Sequence, residues 1–438
     1  MHYRDAVYAF LVATVVAAVL TPLAGVIARR VGAIAWPSGR GLARTPTPEL
    51  GGLAILAGVL VAAAIWLPQE IALEHTPHGR PGSAGTVHTL VVLAGAALIA
   101  LVGAIDDAKN LKPIIKLGGQ ITAAIVAVAG GAVITDLTLP IVGDLQFQHA
   151  GPVLTVIWLV ALMNVVNFSD GIDGLAAGVC TIDGIAFTVI AFSLQGGTSS
   201  AAILTAITAG AALGFLAHNF PPAKIFMGDT GANLLGYLLG VGAVIGSLKT
   251  NAVVALAVPL LILAVPFLDT SFVVAKRLKY GRKPWSADAN HFHHRMTRIG
   301  FSQRQTISYL YAWTVMLAGV AVALRVLPYD DHGHYRAGWL ALMIAILVMA
   351  IAASIYLVFL LEILKFRRLK STHMRDADPD ASDRAIDREV TREIETGEFN
   401  AVRLPEPADD DVPAAPTEPP VPPSGRDLET GEFERIGK

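Results

Sequence analysis

Residues 164–178 read NVVNFSDGIDGLAAG, an acidic, glycine-rich break between two long apolar runs. Asp170 and Asp173 stand three residues apart, followed by Gly171 and Gly174. Carboxylates with glycines beside them are costly at the edge of a membrane and useful for holding a cation or a polar ligand. Working outward from this stretch, the polar residues of the apolar part of the chain collect at edges of the same kind. That clustering frames both the fold and the chemistry.

The chain has 438 residues, 54% hydrophobic and 16% charged. With many apolar runs near 20 residues, this composition marks an integral membrane protein. The net charge of -2 conceals a basic membrane region and an acidic tail. The single cysteine, Cys180, excludes an intrachain disulfide and reads as a small buried residue. The first apolar run has only Arg4 before it and Arg29–Arg30 after it, so it reads as an uncleaved span rather than a secretory signal.

Spans are expected near 6–28, 51–67, 87–105, 117–134, 152–168, 174–194, 200–218, 230–248, 252–275, 306–327 and 337–361. The expected fold class is therefore an all-α polytopic membrane protein of about eleven transmembrane helices. Arg29, Arg30, Arg40, Arg44, Lys109, Lys112, Lys116, Lys224 and the cluster 276–283 fall on one set of loops, with Arg295, Arg298, Arg304 and Lys365–Lys370. The opposite set carries only Arg4, Arg80, Lys249, Arg325 and Arg336. Positive charge marks the cytoplasmic side, so the N-terminus is expected outside and the C-terminus inside. On the outer side, 68–86, with His75 and His78, reads as a solvated loop, and 134–148 as a short hairpin around Gly143-Asp144.

Two domains are expected: a membrane-embedded unit, 1–370, and a disordered, acidic, proline-rich cytoplasmic tail, 371–438. The tail contains an echo, IETGEF at 394–399 and LETGEF at 428–433. It reads either as solvated low complexity or as a short motif for a protein partner, used twice.

The inner loops hold the chemistry. RTPTPELGG, 44–52, offers backbone N–H groups beside Arg44, a setting that suits phosphate. GAIDDAKNLK, 103–112, places Asp106 and Asp107 side by side at a span end, where they repel unless a cation or lysines compensate. A solvated helix cap accounts for that pair equally well. HNFPPAKIFMGDTG, 218–231, sets Asp229 between glycines at the start of a span. Asp269, in PFLDT, lies deeper and reads as a residue that orients a neighbour. DANHFHHR, 288–295, groups His291, His293 and His294 beside Arg295. With no cysteine nearby, these histidines fit anion binding better than zinc. Carboxylates together with substrate phosphates are the usual setting for magnesium. An enzyme working at the inner leaflet explains these loops better than a pore, whose charges lie inside the spans.

NFSDGIDGLAAG, GAIDD, NFPPAKIFMGDTG and HFHHR, in this order, resemble the motifs of the polyprenyl-phosphate N-acetylhexosamine-1-phosphate transferases. The resemblance covers about residues 6–360, and the four ordered motifs make it specific. The HFHH spacing, PFLDT and RIGFSQRQ resemble the WecA/TagO-like branch, which moves GlcNAc-1-phosphate from UDP-GlcNAc to a lipid phosphate. The branch that carries muramoyl-pentapeptide has three consecutive histidines, absent here.

The resemblance implies Mg2+, with Mn2+ as the alternative, on Asp229. It implies catalytic roles for Asp106, Asp107, Asp170, His291, His293 and His294. It implies substrate contacts from Arg44, Thr47, Lys116, Asn167, Asp173, Asn219, Phe226 and Arg295, with Asp173 reading uracil and Phe226 stacking on the base. The implied substrates are UDP-GlcNAc and undecaprenyl or decaprenyl phosphate, at a bacterial inner membrane. A homodimer is compatible with this reading, and no nucleic-acid partner is expected. Phospho-MurNAc-pentapeptide transfer is the alternative reaction. A sugar-phosphate transporter is the alternative class, although the internal repeats it calls for are not visible. Direct displacement by the lipid phosphate and a covalent aspartyl intermediate both remain open at this point.

Overall fold

The computed structural model describes residues 3–36, 45–72, 86–134, 136–139, 143–146, 150–193, 199–247, 301–326, 330–331, 334–335, 338–339 and 341–356. The helices are α1 (Tyr3–Val31), α2 (Gly52–Trp66), α3 (Thr89–Lys109), α4 (Pro113–Ala129), α5 (Gly151–Ser169) and α6 (Leu175–Ser193). They continue with α7 (Ser199–Asn219), α8 (Gly228–Ser247), α9 (Gln303–Val326) and α10 (Ala341–Tyr356). Six of the described helices, α1, α3, α5, α6, α7 and α9, are long and apolar enough to cross a membrane. The span expected near 252–275 and the tail beyond 370 lie outside the described residues.

Short antiparallel strand pairs close the connections: β1 (Ile34–Ala35) with β2 (Thr47–Pro48), and β3 (Glu70–Ala72) with β4 (Thr86–His88). A hairpin of β5 (Asp136–Leu139) and β6 (Gly143–Gln146) pairs Leu139 with Gly143, at the place where alternation foretold it. A last pair, β7 (Asp330–Asp331) and β8 (His334–Tyr335), precedes α10.

Two boundaries differ from the expected spans in ways that matter. α3 runs past 105 and carries Asp106 and Asp107 on its last turn, ending at Asn110 in the left-handed region. Asparagine tolerates that conformation better than most residues, so it can terminate the helix. α4 begins at Pro113, whose fixed φ and missing N–H suit a first helical turn. Lys116 is therefore on the helix, one turn before Gln120, rather than in a loop.

α7 is the hub, buried over most of its length and packed by α1, α2, α6 and α8. Ala6, Ala9, Ala13 and Ala17 form a small-residue stripe down α1 and are all buried. A side chain at Gly210 of α7 would collide with the Phe10 carbonyl of α1. Small residues permit this close approach, where helices in lipid gain their packing energy from contact rather than from water exclusion. One residue breaks the apolar rule within this bundle. Asp183 of α6 is fully buried, and neither carboxylate oxygen has a hydrogen-bond partner among the described residues.

Candidate active site

The site forms where the end of α3 meets the start of α8. Gly228 opens α8 at φ 68°, and a side chain there would strike the Glu49 carbonyl and the Asp107 carboxylate. Only glycine meets both demands without strain. Asp107 then caps the incoming helix. Its carboxylate accepts from the backbone N–H groups of Asp229 (2.7 Å) and Thr230 (3.1 Å), and from the Thr230 hydroxyl. These are the first N–H groups of a helix, which lack partners inside it, and an anion also complements the helix dipole.

Asp106, Asp107 and Asp229 each place a carboxylate oxygen within 4.8 Å of the others. Lys116 pairs with Asp106, and its ammonium also donates to Asp229 at 2.9 Å. Asp106 further accepts from the Leu111 N–H at 2.6 Å. The Asn167 amide also faces the Asp229 side chain. Carboxylates this close repel one another unless positive charge compensates them. The Lys116 ammonium thus occupies the electrostatic place of a cation. A hard, oxygen-liganded ion such as Mg2+ suits this donor set.

A cavity of about 640 Å³ opens beside the three aspartates, lined in part by Asp107, Asn167, Asp170, Asp173, Phe226 and Asp229. Glu49 and Trp36 join its wall. Burial pushes the Glu49 carboxyl up to about 7, helped by the charges of Asp229 and Asp106. Asp170 is pushed up to about 8 by burial and by Asp229, Asp107, Asp173 and Glu49. The pocket therefore gathers more negative charge than Lys116 alone balances, and it favours a cation or a proton donor inside it.

Opposite the aspartates, two loops lock together. Asn219 is buried, accepts from the Gly174 N–H at 2.8 Å and donates to the Ile225 carbonyl at 2.9 Å. Asp173 accepts from the Ala223 N–H at 3.0 Å. From α9, Arg304 donates through Nε and Nη2 to the Pro221 carbonyl at 3.2 and 3.0 Å, and the Tyr311 hydroxyl donates to the Gly174 carbonyl. The 45–52 loop joins the other side of this corner. Phe226 N–H donates to the Pro48 carbonyl at 2.8 Å, and Gly51 N–H donates to the Phe226 carbonyl at 3.0 Å.

The sequence-derived residues sort accordingly. Asp106, Asp107, Lys116, Asn167 and Asp229 converge on one cluster. Asp170, Asp173, Asn219 and Phe226 line the adjoining cavity, and Asn219 is also a structural tie. Thr47 is buried, with its hydroxyl bonded to the Thr45 carbonyl, and is not on the cavity wall. Arg44, Asp269, His291, His293, His294 and Arg295 lie outside the described residues. Glu49, Gln120 and Asn233 were missed. Glu49 sits in a loop whose sequence reading rested on arginine and glycine, although a lone acid before Gly51–Gly52 was the available signal.

Residues 89–247 match the model for glycosyl transferase family 4. The chain is 38% identical to the decaprenyl-phosphate N-acetylglucosaminephosphotransferase of Mycolicibacterium smegmatis, over 72% of this chain and 81% of that one. It is 32% identical to a probable undecaprenyl-phosphate N-acetylglucosaminyl 1-phosphate transferase of Bacillus subtilis, over 73% and 85%. A phospho-N-acetylmuramoyl-pentapeptide-transferase of Moorella thermoacetica matches at 32%, over 63% of this chain and 84% of that one.

Proposed function

This chain belongs to the polyprenyl-phosphate N-acetylhexosamine-1-phosphate transferases, and from that membership we propose that it transfers GlcNAc-1-phosphate from UDP-GlcNAc to a polyprenyl phosphate, releasing UMP. The observation that carries the reading is the carboxylate cluster Asp106, Asp107 and Asp229, closed by Lys116 at the edge of a cavity wide enough for a nucleotide sugar.

Mg2+ held by these three aspartates would neutralise diphosphate charge and polarise the phosphorus under attack. The protein's own residues do the rest. Lys116 adds a fixed positive charge at the same point, and the α8 N-terminus is preorganised by Asp107, so little rearrangement accompanies reaction. A lipid phosphate oxygen attacks the β-phosphorus, and the bond from that phosphorus to the bridging oxygen breaks. UMP leaves with the bridging oxygen, and the sugar–phosphate bond is kept. A phosphate monoester with a second pKa near about 6 already offers an anionic oxygen at neutral pH, so no side chain has to remove a proton. Asp107 has its oxygens engaged by three donors, and Asp106 is held by Leu111 and Lys116. Carboxylates occupied in this way support positioning and direct displacement over an aspartyl intermediate.

His291, His293, His294, Arg295 and Arg44 complete the reading as phosphate contacts, with Phe226 and Asp173 on the uracil side. The basic loops lie on the cytoplasmic side of a bacterial inner membrane, crossed by about eleven helices. The tail from 371 is a separate acidic, proline-rich segment that catalysis does not need, and its repeated ETGEF motif suits a protein partner. Transfer of phospho-MurNAc-pentapeptide is the second reading, favoured by the Moorella relative. Purified protein with polyprenyl phosphate and Mg2+ should release UMP from UDP-GlcNAc and little from UDP-MurNAc-pentapeptide. Preference for the peptide-bearing donor would reverse the assignment, and no release from either would end it.

A further inference from the structure

Behind the carboxylate cluster runs a chain of three amide side chains that neither phosphate chemistry nor lipid packing explains. Asn164 of α5 donates to Gln120 Oε1 at 2.8 Å. Gln120 of α4 donates through Nε2 to Asn233 Oδ1 at 2.8 Å. Asn233 of α8 donates through Nδ2 to the carbonyl of Asp229, again at 2.8 Å. Gln120 and Asn233 are both 4% exposed. Each amide donates toward Asp229, and Gln120 and Asn233 accept from the amide behind, so the three bonds point one way.

Buried amides inside a helical bundle are expensive unless every polar atom is satisfied, and aligned hydrogen bonds polarise one another. These residues come from three helices and end on the backbone of one residue, Asp229. Lys116, one turn before Gln120 on the same face of α4, reaches the side chain of that same residue. α4 therefore reaches Asp229 twice, directly at its carboxylate and, through Asn233 of α8, at its carbonyl.

We propose that Asn164, Gln120 and Asn233 form a positioning relay that sets the rotation of the first turn of α8, and so the aim of the Asp229 carboxylate at a divalent cation. This rests on the reading of Asp229 as a metal ligand. The relay residues touch neither substrate nor metal. They act on affinity for the ion through the orientation of its ligand, an arrangement whose loss generally costs about 10–100-fold in metal affinity or activity.

The test uses the full chain in detergent, with Gln120→Met, Asn233→Leu and the double variant. Binding of Mn2+ is read by electron paramagnetic resonance in the absence of substrate, alongside kcat and KM. Mn2+ affinity and kcat should each fall about tenfold or more in either single variant, with KM for UDP-GlcNAc within about threefold. Because Gln120 acts through Asn233, the double variant should bind Mn2+ no more weakly than Asn233→Leu alone. Asn164→Val, at the half-buried outer end, gives the same readout if an inner variant fails to fold. Mn2+ affinity within twofold of the parent in the folded variants, or losses that multiply in the double, would overturn the relay. Parental protein that binds no Mn2+ would overturn the metal reading of the cluster and the relay with it, a failure visible before any variant is made.

Discussion

Among the described residues, Asp106 at the end of α3 and Asp183 inside α6 are buried in surroundings that could hardly differ more. At the meeting of α3 and α8, Asp106, Asp107 and Asp229 are surrounded by helix N–H groups, a lysine, an asparagine and a threonine hydroxyl. In the middle of α6, Asp183 is buried completely with no hydrogen-bond partner among the described residues. Burial alone therefore does not make an acid functional. What separates the two is the supply of donors and counter-charge, which turns a desolvation cost into an organised, ion-ready field.

The comparison breaks or holds on four substitutions. Asp229→Asn should lose turnover by on the order of 10³-fold while the protein still folds, because the lost charge is the one that would hold the cation on the reacting phosphates. UMP release checks it, and activity within tenfold of the parent would remove the cluster from the chemistry. Lys116→Met takes away the internal cation and should lower kcat by on the order of 10²-fold. Its melting temperature should fall furthest in chelator and recover in part with Mg2+, since a divalent ion can replace the missing charge. A variant equally stable with and without Mg2+ would show that the lysine does not stand in for a cation.

Glu49 is the intermediate case, half-buried and without a partner as strong as Lys116. Its folded-state carboxyl titrates near 7 against 4.5 unfolded. The unfolded chain releases this proton first as pH rises, so the folded state keeps the proton-linked stability below 4.5 and loses it between 4.5 and about 7. Melts without metal should therefore show Glu49→Gln gaining on the parent from pH 5 to pH 7, with the difference constant above. A pH-independent difference would mean that the carboxyl is not held in the way its surroundings imply. The smallest effect belongs to Asp183→Asn. It should leave kcat within twofold and stability equal or slightly higher, because an acid without partners gives up little when it is replaced. A large loss of turnover would erase the contrast drawn here.

Much of this was legible in the chain itself. Apolar helices followed from apolar run length, the hairpin within 134–148 from alternation of apolar and polar residues, and the acids of the cluster from their position at the ends of apolar runs. The outcomes that were not legible share one cause. Thr47, implied as a substrate contact, lies on the strand β2 with its hydroxyl bonded to the Thr45 carbonyl. Asn219 looked like a substrate residue, and its amide is also spent holding two loops together. Gln120 and Asn233 lie on different helices, and they meet across 113 positions.

By itself, then, the sequence determined which segments form apolar helices and which residue types gather at their ends, because both depend on local hydrophobicity and on the cost of charge in lipid. Only the tertiary structure decided which of those polar residues share an atom-scale site, which ones fasten the backbone, and which acid has no partner among the described residues. Hydrogen bonds and ion pairs act over about 3 Å, and which groups come that close is settled by how helices distant in sequence pack together.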